Sequence, residues 1–294
     1  MKARANLTPK KSNQSDIQPR RMDFDFAITG GIPKYWFAND QFKSTLLTAL
    51  SCSFPEGERF FVRSVRYFQP LLRSKKLKEE VKGFIGQEAH HGNEHEGFNQ
   101  ALEKQHGLPT SKIEHYVREG MKWQGKVLSP QRQLAKTCAL EHFTAMLAET
   151  ILEHPEMLEG MDERFLPLWV WHAVEESEHK AVAFDVFAEQ VGSYWVRSSE
   201  MLVTTIEFFT FTALHYIQLR RAMDSKTDWR SVREGFAWLF GRKEGWLRRL
   251  APRYLSYYKP NFHPSQVDSR HLHEEGLKRL AAMLDSPEML QKPQ

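Results

Sequence analysis

Gln87-Glu88-Ala89-His90-His91 and Glu175-Glu176-Ser177-Glu178-His179 each place a glutamate three residues ahead of a histidine, on runs whose apolar spacing predicts a helix. Residues three apart share one helix face, so each pair offers a carboxylate and an imidazole side by side. One such pair says little. Two of them, with a helix carrying Glu58 before the first and a helix carrying Glu141 between, put four carboxylates and two imidazoles on four helices, a set that can hold a pair of metal ions in a bundle core.

The stripes around these residues make the same point. On the second predicted helix, Phe84, Glu88, His91, His95, Phe98 and Leu102 step by four, three, four, three and four. Leu168, His172, Glu176, His179, Ala183 and Val186 repeat that rhythm, while Leu134, Cys138, Glu141, Ala145 and Ala148 on one helix and Phe54, Glu58, Phe61, Val65 and Phe68 on another each carry one carboxylate on an apolar face. Carboxylates aimed into a dry core are costly unless compensated. Two divalent ions would balance Glu58, Glu88, Glu141 and Glu176, with His91 and His179 completing the shells. The donors lack thiolate, which suits iron, with manganese or zinc as alternatives. His95 and His172 lie on the same stripes and, in antiparallel helices, toward the same end; they are candidates for a further ligand and a proton carrier or second ligand, with a pair of hydrogen-bonded core histidines as the alternative. His90, His142, Glu175 and Glu178 fall about 100° off the stripes and read as solvated groups or as partners of the ligands.

Elsewhere the chain of 294 residues reads as nearly all helix, with breaks at Ser53-Phe54-Pro55, Gln69-Pro70, Gly107-Leu108-Pro109, Ser129-Pro130, His154-Pro155 and Gly192-Ser193. The expected class is all-α, a ferritin-like four-helix bundle with additional C-terminal helices. Residues 1–35 are expected as a basic flexible tail, 36–192 as the bundle and 193–294 as helices packed on it. Ser53 to Glu56 has the form of a capping box, although a kinked continuation of the preceding helix fits equally. One helix is expected over Glu163 to Gln190.

With 41% hydrophobic and 27% charged residues and a formal charge of +4, the composition is that of a folded soluble protein and gives no support to nucleic-acid recognition. Cys52 and Cys138 read as two buried thiols in a reducing cytoplasm. Met201 to Leu219 is apolar apart from Glu207 and is expected as an extra packed helix, with membrane or partner contact as the alternative; the aromatic and arginine-rich Gly245 to Tyr258 suggests peripheral attachment at an inner membrane and a lipid-like substrate. A homodimer is a further expectation.

From about Phe54 to Pro264 the chain resembles a bacterial family described as predicted metal-dependent hydrolases, through Phe54-Pro55-Glu56-Gly57-Glu58-Arg59-Phe60-Phe61, Gln87 to His91, Glu175 to Lys180 and Phe262-His263-Pro264. His172-x-x-x-Glu176-x-x-His179 with Glu88-x-x-His91 also resembles the ligand set of di-iron arylamine N-oxygenases, whose extra histidine coordinates iron. The two resemblances imply different reactions on one kind of site. The reading preferred from sequence is a di-iron enzyme that uses O2 to oxidise an apolar or aromatic substrate, with electrons from a separate reductase, since no nucleotide-binding glycine loop is visible. The alternatives are dimetal hydrolysis of an ester or phosphoester and a non-catalytic metal-binding or storage role. His91-Gly92-Asn93-Glu94-His95 also matches the His-x-x-Glu-His of inverted zinc peptidases, a reading that leaves the other carboxylates without purpose.

Overall fold

The computed structural model describes residues 17–26, 31–223, 226–242 and 245–285. Among these residues no β-strand forms, and a single bridge joins Phe37 to Met161. Four helical arms surround the core: α2 (Phe54–Phe68), α3 (Lys75–His106), α5 (Pro130–Glu153), and the pair α6 (Leu166–His179) and α7 (Val182–Gln190). α1 (Gln41–Ser51) precedes them and α4 (Thr110–Val127) connects α3 to α5. α8 (Tyr194–Ala222), α9 (Trp229–Phe240), α10 (Trp246–Ser256) and α11 (Arg270–Leu284) follow.

Local chemistry explains the boundaries. The Asp40, Ser74 and Ser129 side chains accept backbone N–H groups at the starts of α1, α3 and α5, and Gly107 closes α3 with φ of 64°, a conformation that suits glycine. At Ser53 no capping box forms: the residue is itself helical, its hydroxyl bonds back to the Ala49 carbonyl, and Glu56 pairs with Arg59 and Arg118 instead. α1 and α2 are therefore a helix interrupted at Cys52 and Ser53. The single helix expected over Glu163 to Gln190 begins at Leu166 and is broken at Lys180 and Ala181. That break carries no glycine or proline; it lies where the Lys180 amine is drawn out to Glu149, the Val267 carbonyl and Ser269.

Among the apolar clusters of the bundle, one gathers around Phe60, Val65, Val81, Phe84 and Leu134 and another around Trp36, Phe98, Phe165 and Trp171. The buried carboxylates and imidazoles lie between them. The expected flexible tail divides: residues 1–16 are outside the described residues, but residues 17–26 lie on the bundle, with Ile17, Met22 and Phe26 buried. Two glycines of α3 make this close approach feasible, because a Cβ at Gly83 or Gly86 would collide with Ile17 or Pro19. α8 packs through Met201, Thr204, His215 and Leu219 and leaves Leu202, Ile206, Phe209, Leu214 and Ile217 exposed. Among the described residues no helix is long and apolar enough to cross a membrane. Cys52 and Cys138 are buried free thiols.

Candidate metal centre

α3 and α6 run antiparallel, which sets Glu88 opposite His179, His91 opposite Glu176 and His95 opposite His172. Glu88 Oε1 is 3.0 Å from His179 Nε2, His91 Nδ1 is 3.5 Å from Glu176 Oε1, and His95 Nε2 is 2.8 Å from His172 Nδ1. α2 brings Glu58 Oε1 to 3.7 Å from His172 Nε2, and α5 brings Glu141 Oε2 to 3.6 Å from His179 Nε2. All of these side chains are buried. Gly92 lets α2 approach here: a Cβ on it would sit 3.0 Å from Glu58 Oε2.

Two groups have the compactness to hold an ion, Glu58 with His91 and His172, and Glu88 with Glu176 and His179; within each, one donor atom per residue lies within 4.8 Å of the others. Glu141 stands beside the second group, and Glu176 also faces His91 and His172. Whether metals fit can be judged from what these atoms lack. Both carboxylate oxygens of Glu58, Glu88 and Glu141, together with Glu176 Oε2, His91 Nδ1 and His179 Nε2, are buried without a hydrogen-bond partner. Buried polar atoms are ordinarily paired, so a cluster of convergent orphans is the mark of a cation site. Oxygen and imidazole donors without thiolate suit iron, manganese or zinc.

The outer ring atoms show that the imidazoles are already aimed. His91 Nε2 lies 3.1 Å from Glu175 Oε2, a carboxylate that can only accept, so a hydrogen is held on Nε2 and Nδ1 is the nitrogen aimed inward. His179 Nδ1 donates to Gln87 Oε1 at 2.8 Å, because the Gln87 amide nitrogen is committed to the Gln18 carbonyl and Glu178. Arg20 completes this brace by donating to Glu175 and Glu178. Glu175 and Glu178, expected as solvated or as partners of the ligands, are thus partners.

Protonation in the metal-free protein follows from crowding. Burial, then repulsion among the carboxylates, pushes Glu58 and Glu141 well above the usual carboxylate range, and burial also raises Glu88. For Glu176 burial opposes ionisation, yet the facing His179, with His91, holds it well below that range. Burial likewise opposes charge on His91 and His179, but Glu175, Glu176 and Glu88 raise His91 to about 9, and Glu176 and Glu88 raise His179 well above its ordinary value. Without metal the inward nitrogens of these two carry protons, and a bound cation takes their place.

Three further residues that the sequence singled out, His95, Glu94 and His142, lie outside the two donor groups. His95 is in neither compact group, and its ring nitrogens are bonded to His172 Nδ1 and, at 2.9 Å, to Ser51 Oγ. The inverted peptidase reading falls: Glu94 turns away and accepts the backbone N–H groups of Asp23 and Phe24. His142 is buried rather than solvated, but bonds the Arg253 carbonyl beside Tyr257 and Phe262, away from the cluster. Sequence reasoning missed Arg20 and Gln87; Gln87 had a legible signal, since it precedes Glu88 on a buried helix.

An apolar pocket opens beside the first group. Leu50, Leu147, Ile151, Trp169 and Trp246 line it, His172 and Glu176 are the ionisable groups on its wall, and its interior volume is about 50 Å³ behind an open mouth. The Trp169 and Trp246 indole N–H groups are buried without a partner.

No curated protein and no solved structure matches the sequence. A family model described as predicted metal-dependent hydrolase matches residues 18–268, a span that contains every residue of the cluster, and the chain belongs to that family.

Proposed function

We propose that this chain is a dimetal hydrolase of carboxylic esters with an apolar acyl or aromatic part. The observation that carries the reading is the pocket: its apolar wall ends on His172 and Glu176 of a cluster whose donor atoms lack partners. A bound metal pair supplies Lewis acidity toward a carbonyl and lowers the pKa of water toward neutrality. The chain's own part is to bind the apolar portion of the substrate, exclude bulk water and hold the reacting group against that corner. The unpartnered Trp169 and Trp246 N–H groups are donors for a carbonyl or ester oxygen. A phosphoester suits the pocket less well, since no lysine or arginine lines it to offset phosphate charge beside so many carboxylates.

The donor set favours a second reading, O2-dependent oxidation of an apolar substrate by a ferritin-like di-iron centre fed by a separate reductase. Four carboxylates and imidazoles without thiolate, enclosed by Phe54, Phe84 and Trp171, suit iron and a water-poor site. One experiment separates the two. The chain is freed of metal, reloaded with Zn²⁺ or Mn²⁺, and assayed on p-nitrophenyl esters of increasing acyl length; in parallel it is loaded anaerobically with Fe²⁺ and its O2 uptake recorded. Metal-dependent ester hydrolysis without O2 uptake supports the first reading. O2 uptake without hydrolysis replaces it with the second, and failure to bind any metal removes both. The exposed apolar face of α8 extends the proposal to peripheral contact with a membrane that supplies the substrate; co-sedimentation with anionic vesicles at low salt tests this, and a dimer that stays in solution would overturn it.

A further inference from the structure

His172 Nε2 lies 3.1 Å from Glu176 Oε1 and 3.7 Å from Glu58 Oε1. Whether it meets them with a hydrogen or a lone pair depends on a chain of buried groups leading away from the cluster. The far end fixes the direction. Asn99 Nδ2 donates to the Ser51 carbonyl at 3.1 Å and to Glu114 Oε1 at 2.8 Å. The Ser51 carbonyl can only accept, so it forbids the flipped amide whatever the state of Glu114. Asn99 Oδ1 is then the acceptor for the Ser51 hydroxyl, 2.7 Å away. With its one hydrogen spent, Ser51 Oγ accepts from His95 Nδ1 at 2.9 Å, which leaves neutral His95 with a bare Nε2. That nitrogen, 2.8 Å from His172 Nδ1, accepts its hydrogen. His172 Nε2 is left presenting a lone pair to two carboxylate oxygens, an arrangement that repels unless a cation stands between them.

We infer that Ser51, Asn99 and Glu114 are positioning residues, which through His95 fix the tautomer of His172 so that it serves as an imidazole donor to a metal held with Glu58 and His91. The inference rests on the dimetal reading. None of the three touches the cluster; each acts through the next. The device differs in kind from those behind His91 and His179, where a carboxylate or a carboxamide meets the ring directly. Here four hydrogen bonds transmit one polarity from α4 through α3 and α1 to α6. His172 is the member of the three imidazoles that lines the apolar pocket, so the donor nearest the substrate is the one set from farthest away.

The test uses the full chain. Ser51→Ala and Asn99→Ala are compared with the parent for Zn²⁺ binding by chelator competition, and ring tautomers are read by long-range ¹H–¹⁵N correlation on ¹⁵N-histidine-labelled protein. Loss of an outer partner of a metal-binding histidine costs about 10–100-fold in affinity, expected here for one of two ions, the other retaining its parental value. Ser51→Thr keeps the hydroxyl and is expected to keep both. Two ions bound at parental affinity by folded Ser51→Ala and Asn99→Ala would overturn the inference, as would a His172 Nδ1 without hydrogen in the parent. If the parent binds no metal, the dimetal reading fails by itself, and the His172 ¹⁵N shifts alone decide the polarity of the chain.

Discussion

The two ends of the metal cluster are braced by opposite means. Behind His179 stand Gln87, Glu178, Arg20 and His273, a network built on the Arg20–Glu178 ion pair and gathered from segments far apart in sequence. Behind His172 stand His95, Ser51 and Asn99, neutral groups that end on Glu114. The charged brace is covered by residues 17–26, whereas the neutral brace adjoins the apolar pocket. Charge is tolerable where opposite charge is fixed next to it; at the wall of a pocket meant for apolar matter, a stray charge would hold water. The difference separates an anchoring end from a working end.

The largest effect should come from the residue that both ends share. Glu176 faces His91, His172 and His179. Glu176→Ala is expected to leave no bound metal and no activity, whereas Glu58→Ala and Glu141→Ala should each remove one ion of the pair. Metal analysis after reconstitution checks this, and a Glu176→Ala protein that retains both ions would show the ends to be independent.

Next comes the charged brace. Arg20→Ala strips Glu175 and Glu178 of their cation; Glu175 is fully buried and Arg20 is 10% exposed. Breaking a buried pair on one side leaves an uncompensated charge, so a loss of about 3 kcal/mol in denaturant unfolding is expected. Ser51→Ala, at the neutral brace, should cost about 1 kcal/mol, the scale of one uncharged hydrogen bond. Equal losses would erase the distinction between the ends.

This contrast also explains what could be read from sequence. The cluster was legible because each ligand replaces an apolar residue on a helical stripe, and Asn99 left a similar trace, four residues beyond His95 on a core face. Arg20 was not legible: a basic residue in a polar run looks solvated until Gly83 and Gly86 are seen to admit Ile17 and Pro19. Glu175 lies off the stripe yet is buried because that same segment covers it. The break after His179 was hidden for a related reason, since the contacts that draw Lys180 outward belong to residues far along the chain. Periodicity reports which face points inward; it is silent on what a distant segment lays over the outside.

Filling the pocket should have a smaller and more selective effect. Ala148 lines it and is buried. Ala148→Trp is expected to raise KM for long-chain esters about tenfold, the lower range for steric discrimination in an apolar pocket, and to leave acetyl esters and metal content unchanged. Uniform loss over all chain lengths would place the substrate elsewhere.

The smallest effect expected is the pH dependence contributed by Glu114, where the neutral brace reaches its outer end. Burial, then Glu96, raises its carboxyl from an ordinary 4.5 to about 7, against the lowering influence of the Asn99 hydrogen bond, Arg59 and Arg118. Below about pH 4.5 the group is protonated in folded and unfolded chains alike, and its contribution to stability is fully present. As pH rises toward 7 the unfolded chain releases the proton while the folded chain keeps it, so stability is lost across that window and the loss is complete above it. The carboxamide oxygen that Glu114→Gln introduces would still accept from Asn99, so this variant should preserve the polarity of the brace and the metal affinity while removing the pH dependence. Its melting temperature should gain on the parent progressively between pH 4.5 and 7, with no further gain above that. The lowering influence of the Asn99 hydrogen bond, Arg59 and Arg118 offsets part of the cost of burial and keeps the gain small. A pH-independent difference would mean that the carboxylate is solvated in the folded protein, and the neutral brace would then lose its buried terminus.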